Sequence, residues 1–193
     1  MKERNAFLSV YDKEGIVEFA KGLVELGFKL YSSGGTAAKL KENGLNTVDV
    51  SVLTGFPPIL GHRVVTLHPN VHGGILAKDT PEHNEELAKY GMHRFNLVCV
   101  NLYPLQEEVE SEDATVESVI EKTDIGGPTL LRAAAKNYEN VIVVSDPDDM
   151  DKVLSMLSKD KSVSKEVRLA LAVKVFRLME NYNKAGADFL ENE

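Results

Sequence analysis

Ser32-Ser33-Gly34-Gly35-Thr36 and Asp124-Ile125-Gly126-Gly127-Pro128 are two glycine pairs flanked by hydroxyl or carboxylate side chains. Glycine lets a ligand approach the backbone, and free N–H groups at a helix start suit a phosphate. Between them runs Leu60-Gly61-His62-Arg63-Val64-Val65-Thr66-Leu67-His68-Pro69, whose Arg63 and Thr66 are types that bind anions. Arg132 and Lys136 stand four apart, hence on one helix face, and the three alanines between them suit close packing beside a pocket; a solvated basic edge is the competing reading. Asn101-Leu102-Tyr103-Pro104 follows an apolar run, at the strand end where open α/β sheets hold ligands, although a tyrosine packed as a cap is the alternative. His62, His68 and His72 lack the i, i+4 pairing with a carboxylate that zinc enzymes use, so no metal is expected. These residues describe an α/β protein handling a small phosphorylated molecule.

The elements that must position them are legible as alternating short apolar runs and helical periods, which indicate a mainly parallel sheet. Ala6 to Val10 reads as the first strand; a helix follows from about Glu14, capped by Asp12, with Ile16, Phe19, Ala20, Leu23 and Val24 on its apolar face and Gly27 at its end. Phe28 to Ser32 is a second strand, the glycine pair turns the chain, and a helix runs from Thr36 to Asn43. Residues 47–50 form a third strand. Thr80-Pro81 opens a helix, 95–101 is a strand, 115–121 and 127–137 are helical, and 141–144 is the last strand. Asp146-Pro147 opens another helix, and a long amphipathic helix from about Ser164 carries Val167, Leu171, Val175, Leu178, Tyr182 and Ala185. Glu107 to Asp113, with five acidic residues in seven, reads as a solvated loop.

The 193 residues suit one compact domain, 1–193, without a linker. Thirty acidic against 22 basic side chains give a formal charge of -8, which argues against nucleic acid or an anionic membrane as the main partner. Cys99 is the single cysteine and reads as a buried core residue in a reducing compartment. No apolar run approaches the ~20 residues of a membrane span, and the first residues do not resemble a signal peptide, so a cytoplasmic protein is expected.

The order of motifs carries a resemblance. Ser9-Val10-Tyr11-Asp12-Lys13, Ser33-Gly34-Gly35-Thr36, Leu53-Thr54-Gly55-Phe56-Pro57, Arg63 to Pro69, His72-Gly73-Gly74-Ile75-Leu76-Ala77, Asn101-Leu102-Tyr103-Pro104, Asp124-Ile125-Gly126-Gly127 and Leu131 to Asn137 together resemble the IMP cyclohydrolase domain of the bifunctional purine-biosynthesis enzymes. The resemblance runs from about residue 5 to the end of the chain. It implies a methylglyoxal-synthase-like three-layer α/β sandwich with a mainly parallel five-stranded sheet. It also implies a homodimer without cofactor and closure of the FAICAR ring to IMP with loss of water. By matching motif, Ser33, Gly34, Gly35 and Thr36 would hold the phosphate, with Lys13, Arg63 and Thr66 beside it, and Val64 and Val65 would belong to the substrate-binding set. Tyr11, Asp12, Val100 and Asn101 would line the nucleotide pocket, and Ile125 and Gly126 would offer backbone groups to the base. Asp124 and Lys136 would handle protons, and Tyr103 would stabilise charge on the formyl oxygen. An AICAR transformylase, on a separate chain or on a further C-terminal domain, would supply the substrate.

Two positions depart from the family pattern, which reads Gly-Gly-Arg-Val-Lys-Thr-Leu-His-Pro. Val65 stands at its lysine, and His62 at its second glycine. Losing one charged stabiliser of an oxyanion typically costs on the order of 10²–10³ in rate, about 3–4 kcal/mol. Ring closure is intramolecular, however, so part of the orientation entropy is already removed from the barrier. On this reasoning Val65→Lys is expected to raise kcat by about tenfold or more. Direct compensation by His62 would need a bend, since positions three apart on a strand face opposite sides; a surface histidine in a loop is favoured. Two rival readings stand beside the cyclohydrolase: a nucleotide-binding module with catalysis impaired by Val65, and another phosphorylated-substrate enzyme of the same fold, such as a methylglyoxal synthase.

Overall fold

The computed structural model describes residues 3–192. In chain order the elements are β1 (Arg4–Ser9), α1 (Ile16–Glu25), β2 (Phe28–Ser32), α2 (Gly34–Glu42), β3 (Thr47–Asp49), α3 (Val50–Thr54), α4 (Pro69–Leu76), α5 (Pro81–Lys89) and β4 (Leu97–Val100). There follow α6 (Leu105–Val109), α7 (Val116–Glu121), α8 (Gly126–Lys136), β5 (Ile142–Val144), a 3-10 turn at Pro147–Asp149, α9 (Met150–Asp160) and α10 (Lys165–Glu191).

The five strands pair in the order β3-β2-β1-β4-β5, all parallel. The chain winds outward from β1 through β2 to β3, then returns to place β4 on the other side of β1. With right-handed crossovers this puts α1 and α2 on one face and α8 on the other. α9 packs on α1, while α10 packs on α8, β5 and α6. Strands covered on both faces must be apolar throughout; Leu97, Val98, Cys99 and Val100 are all at most 1 % exposed. Phe95 joins the layers, its ring edge-on to Phe7 at 5.4 Å and to Tyr31 at 5.2 Å. Burial pushes the Cys99 thiol up to about 12, so this cysteine is an inert core group, as expected.

Several boundaries differ from the expectation. Asp12 does not cap α1: its Oδ1 accepts from the Glu14 amide at 3.0 Å, and Gly15, at φ 68°, takes the N-cap position. Val24 on α1 is 43 % exposed and lies outside the buried face. The glycine pair after β2 falls inside the first turn of α2, which begins at Gly34 (φ 46°) and not at Thr36. Val50 starts α3 and does not belong to β3. Asp146-Pro147 starts the 3-10 turn, and α9 follows directly. α3, α4 and α6 were absent from the sequence reading. α6 lies in what was read as a solvated acidic loop, and its Glu108 is buried.

Candidate functional site

β1 and β4 are neighbours whose chains leave the sheet in opposite directions, so a crevice opens at their C-terminal ends. Asn101 closes the base of it. Its Oδ1 accepts from the amides of Tyr11 (2.6 Å) and Asp12 (3.1 Å), and its Nδ2 donates to the Asp12 carbonyl at 2.8 Å. One side chain thus pins the loop after β1 to the end of β4. Tyr11, 54 % exposed, lays its ring edge-on to Tyr103 at 4.9 Å. A cleft of about 850 Å³ opens beside Asn101 and Tyr103 and is closed on its far side by Asn181, Tyr182 and Phe189 of α10.

The turn from β2 into α2 forms one wall. Lys13 donates from Nζ to the Tyr11 carbonyl at 2.9 Å, and its Cε lies 3.4 Å from where a Cβ on Gly35 would sit. An ammonium group therefore stands against the start of a helix whose first N–H groups face outward, and both attract an anion. The Ser33 hydroxyl pairs with that of Ser9 at 2.8 Å. Ser9 belongs to the first motif of the resemblance, and its place opposite Ser33 follows from the β1–β2 register. Thr36 differs from expectation. Its hydroxyl accepts from the Val10 amide (2.9 Å) and donates to the Val10 carbonyl (3.1 Å), and the residue is 2 % exposed. It fixes α2 to the end of β1 and has no hydroxyl left for a phosphate. Val100 is likewise corrected: at 1 % exposure its side chain lies in the sheet core and does not line the crevice.

The 59–66 segment is a tight loop. Ile59 and Val64 form an isolated antiparallel bridge, and Leu60, Gly61 and His62 between them all take positive φ (53°, 64° and 71°). His62 is thus an exposed turn residue, as favoured, and not part of a strand. Arg63 pairs with Glu121 of α7, with both side chains mostly exposed. Such an exposed pair contributes only about 0–1 kcal/mol, so exchanging Glu121 for a phosphate costs little. Val65 is half-buried and packs on the hydrophobic core. Thr66 is buried, with Oγ1 3.0 Å from where a Cβ on Gly126 would sit, which brings this loop to the start of α8.

Asp124 sits just before α8. Its Oδ1 accepts from the Gly127 amide at 3.1 Å, and its own amide donates to the Tyr182 hydroxyl of α10 at 2.7 Å. Burial raises the Tyr182 phenol, which stays a neutral hydrogen-bonding group. A Cβ on Gly127 would meet Asp124 Oδ2 at 2.4 Å and Leu102 at 2.5 Å, so the second glycine is required by the carboxylate's position. The carbonyls of Ile125 and Gly126 both accept from the Thr129 hydroxyl (2.8 and 2.9 Å). What this turn has to offer a ligand is therefore its N–H groups.

Lys136 is not brought to this group. It ends α8, and 12 residues at ~1.5 Å each put it roughly 18 Å from Asp124 along the helix, beyond the reach of a lysine side chain. It lies with His72, Leu76, Arg132 and Phe176 along a groove between α4 and α8. His72 there has an unpartnered Nε2, and burial lowers its pKa. His68 accepts from the Asn70 amide at 3.1 Å as the cap of α4. Among the described residues no three His, Cys, Asp or Glu side chains converge as metal ligands.

An ion pair between a buried carboxylate and an exposed lysine lies beside Tyr103, and neither residue is among the sequence expectations for the site. Glu108 of α6, its side chain 10 % exposed, pairs with Lys122, which follows α7. The Lys122 ammonium lies 5.4 Å from the Tyr103 ring centroid and within reach of its hydroxyl. Contact with Lys122 holds the Glu108 carboxyl below its usual range, and contact with Glu108 raises Lys122. An acidic run read as loop hid the one carboxylate at helical spacing that turns inward.

A five-stranded, all-parallel sheet flanked by helices defines a fold class, and comparison with known proteins agrees on it. The model of the MGS-like domain matches residues 15–129, and the chain belongs to that family. Residues 134–193 match the model of the AICARFT/IMPCHase bienzyme. The chain is 50 % identical over 181 residues to the bifunctional purine biosynthesis protein PurH of Caldicellulosiruptor bescii, covering 93 % of this chain and 35 % of that protein. Against the PurH of Bacillus subtilis the identity is 45 % over 193 residues, covering 100 % and 38 %. The chain therefore spans about a third of the length of these relatives. A solved structure described as "Crystal structure of ForH" superposes with a TM-score of 0.87 at 40 % identity, covering 98 % of this chain and all of that one.

Proposed function

We propose that this chain is an IMP cyclohydrolase, closing FAICAR to IMP with loss of water. The observation that supports this most is the meeting of a phosphate cradle (Ser33, Gly34, Gly35 and Lys13) with Tyr103 and Asp124 at the C-terminal ends of the central strands, in a chain about half identical to PurH proteins. The neighbouring cleft is in the size range that holds a small ligand.

The chemistry runs as follows. The carboxamide nitrogen attacks the formyl carbon, a C–N bond forms, and the carbonyl electron pair moves onto the formyl oxygen. Tyr103 donates a hydrogen bond to that oxygen as charge develops, and Asp124 takes a proton from the attacking nitrogen. The oxygen takes one proton to become a hydroxyl and a second as it leaves as water, while the former formamide nitrogen loses its proton and forms the ring C=N bond. Arg63 releases Glu121 to reach the phosphate, and the N–H groups of Ile125 and Gly126 contact the base. Asn101 and Thr36 act by holding the loop after β1 rather than by touching the phosphate.

Lys136 enters this scheme only from a second copy. The groove it lines carries Leu67, Leu76 and Phe176, each at least 39 % exposed, and Leu169 and Val173 extend this apolar surface along α10. A homodimer through this face delivers one copy's Lys136 to the Asp124 end of the other, where it protonates the leaving oxygen. FAICAR comes from an AICAR transformylase, on a separate chain or a further domain, and the reaction is cytoplasmic. Among the described residues no helix is long and apolar enough to cross a membrane.

The test is Lys136→Ala, assayed for FAICAR closure and for IMP binding. Turnover falls at least about a hundredfold while IMP binding stays within a factor of about three. Undiminished turnover removes Lys136 from the mechanism, and turnover of dihydroxyacetone phosphate by the native chain would point to a methylglyoxal synthase instead.

A further inference from the structure

Glu108 is a carboxylate with a 10 % exposed side chain, and none of the steps above uses it. A buried charge is costly unless paired, and pairing alone rarely repays the desolvation. Its partner Lys122 stands two residues before Asp124 and also reaches Tyr103. Tyr103 is held from its other side by Tyr11, ring to ring at 4.9 Å. The three charged or polar tips, Glu108, Lys122 and Tyr103, form one cluster, on α6, after α7 and after β4 respectively, and Tyr103 also lines the cleft.

A phenol hydroxyl has one proton to give and lone pairs to accept with. Beside a carboxylate alone, Tyr103 would spend its proton on Glu108 and have none for a substrate. The phenol reaches Glu108, but Lys122 and Ser118 contact the same carboxylate and weaken its hold on the phenol proton. With the ammonium 5.4 Å from the ring centroid, the hydroxyl can turn to a substrate oxygen and is the stronger donor for the nearby cation.

We propose that Lys122, anchored by Glu108, is a positioning residue that keeps the Tyr103 hydroxyl turned toward the formyl oxygen and strengthens its hydrogen bond as negative charge develops there. Val65 is apolar and packs on the core, so it supplies no charge to this task. The inference rests on the cyclohydrolase reading and deepens it. No proton or bond changes hands at Lys122; its charge stays +1 throughout.

The test compares native protein with Lys122→Met, Lys122→Arg and the double variant Glu108→Gln/Lys122→Met, each assayed for kcat and KM with FAICAR and for IMP binding. Lys122→Met lowers kcat by about 10–100-fold while KM and IMP binding stay within about threefold. Lys122→Arg recovers most of the loss. The double variant recovers part of it, because no carboxylate remains to capture the phenol proton. A purely structural salt bridge would instead weaken IMP binding and kcat together, and the double variant would be no better than the single one. A kcat for Lys122→Met within threefold of native overturns the proposal and leaves the cyclohydrolase standing. A native protein that does not exceed the uncatalysed rate overturns both.

Discussion

At the residue scale, the site depends on close approaches that single atoms would block. A methyl group at position 127 would lie 2.4 Å from Asp124 Oδ2 and 2.5 Å from Leu102. Gly127→Ala must therefore push Asp124 aside, and a misplacement of about 1 Å costs on the order of 10²-fold in rate. Steady-state kinetics should show kcat falling by that order, with the phosphate cradle on α2 still binding inorganic phosphate; an unchanged kcat would mean that Asp124 is not the base. Val65 makes a sharper point. The sequence suggests that a lysine there raises kcat tenfold or more, but the side chain is half-buried and packed on the core, and Lys122 already places a cation beside Tyr103. Val65→Lys is accordingly expected to gain less than about tenfold. A larger gain would return the charge-stabilising role to position 65.

At the element scale, α6 and α7 are joined by Glu108 and Lys122, and this pair is pH-sensitive in a definite direction. The Glu108 pKa is lowered in the folded protein, so its contribution to stability is present above the ordinary carboxylate range and is lost as pH falls through the folded value. Urea midpoints of native protein and Glu108→Gln should differ at pH 7, and the gap should shrink as pH falls below the usual Glu value near 4.3. A gap that stays constant would mean the carboxylate's charge is irrelevant. Which elements could be read in advance has a similar physical explanation. β2 has the bounds expected of it, the start of α5 is as expected, and α7 is displaced only at its first residue, where Thr115 caps the helix rather than beginning it, because apolar runs or capping residues mark these elements locally. α4 was invisible because Gly73 and Gly74 penalise a helix by about 1 kcal/mol each. Yet Gly74 is there because a Cβ would meet the His93 carbonyl at 2.1 Å, a tertiary demand that no local rule contains. The cap His68 followed by Pro69 was the available clue. The same limit applies to the site. Motif order picked out Ser33, Asn101, Tyr103 and Asp124, whereas Glu108 and Lys122 acquire meaning only when α6 and α7 fold against Tyr103.

At the scale of the whole molecule, one fact governs the account. α8 is a rod with Asp124 at one end and Lys136 at the other, and because it runs back along the parallel strands those ends lie toward opposite ends of the strands. A single copy cannot bring both to one substrate, so the scheme requires two. Equal amounts of Asp124→Asn and Lys136→Ala, each inactive alone, should on mixing form hybrid dimers with one intact site of two, restoring about a quarter of native activity. No recovery after subunit exchange would show that the two residues do not meet across a dimer. With a formal charge of -8 the protein is acidic overall, and Lys13, Arg63 and Lys122 are local cations near the sheet's ligand end.

The most direct test of the whole account is IMP formation from FAICAR by the purified chain, followed beside the uncatalysed closure under identical conditions. The account predicts a rate clearly above background that saturates with FAICAR and is inhibited by IMP. A rate equal to background, with IMP still bound, would contradict it and leave a nucleotide-binding domain without cyclohydrolase activity.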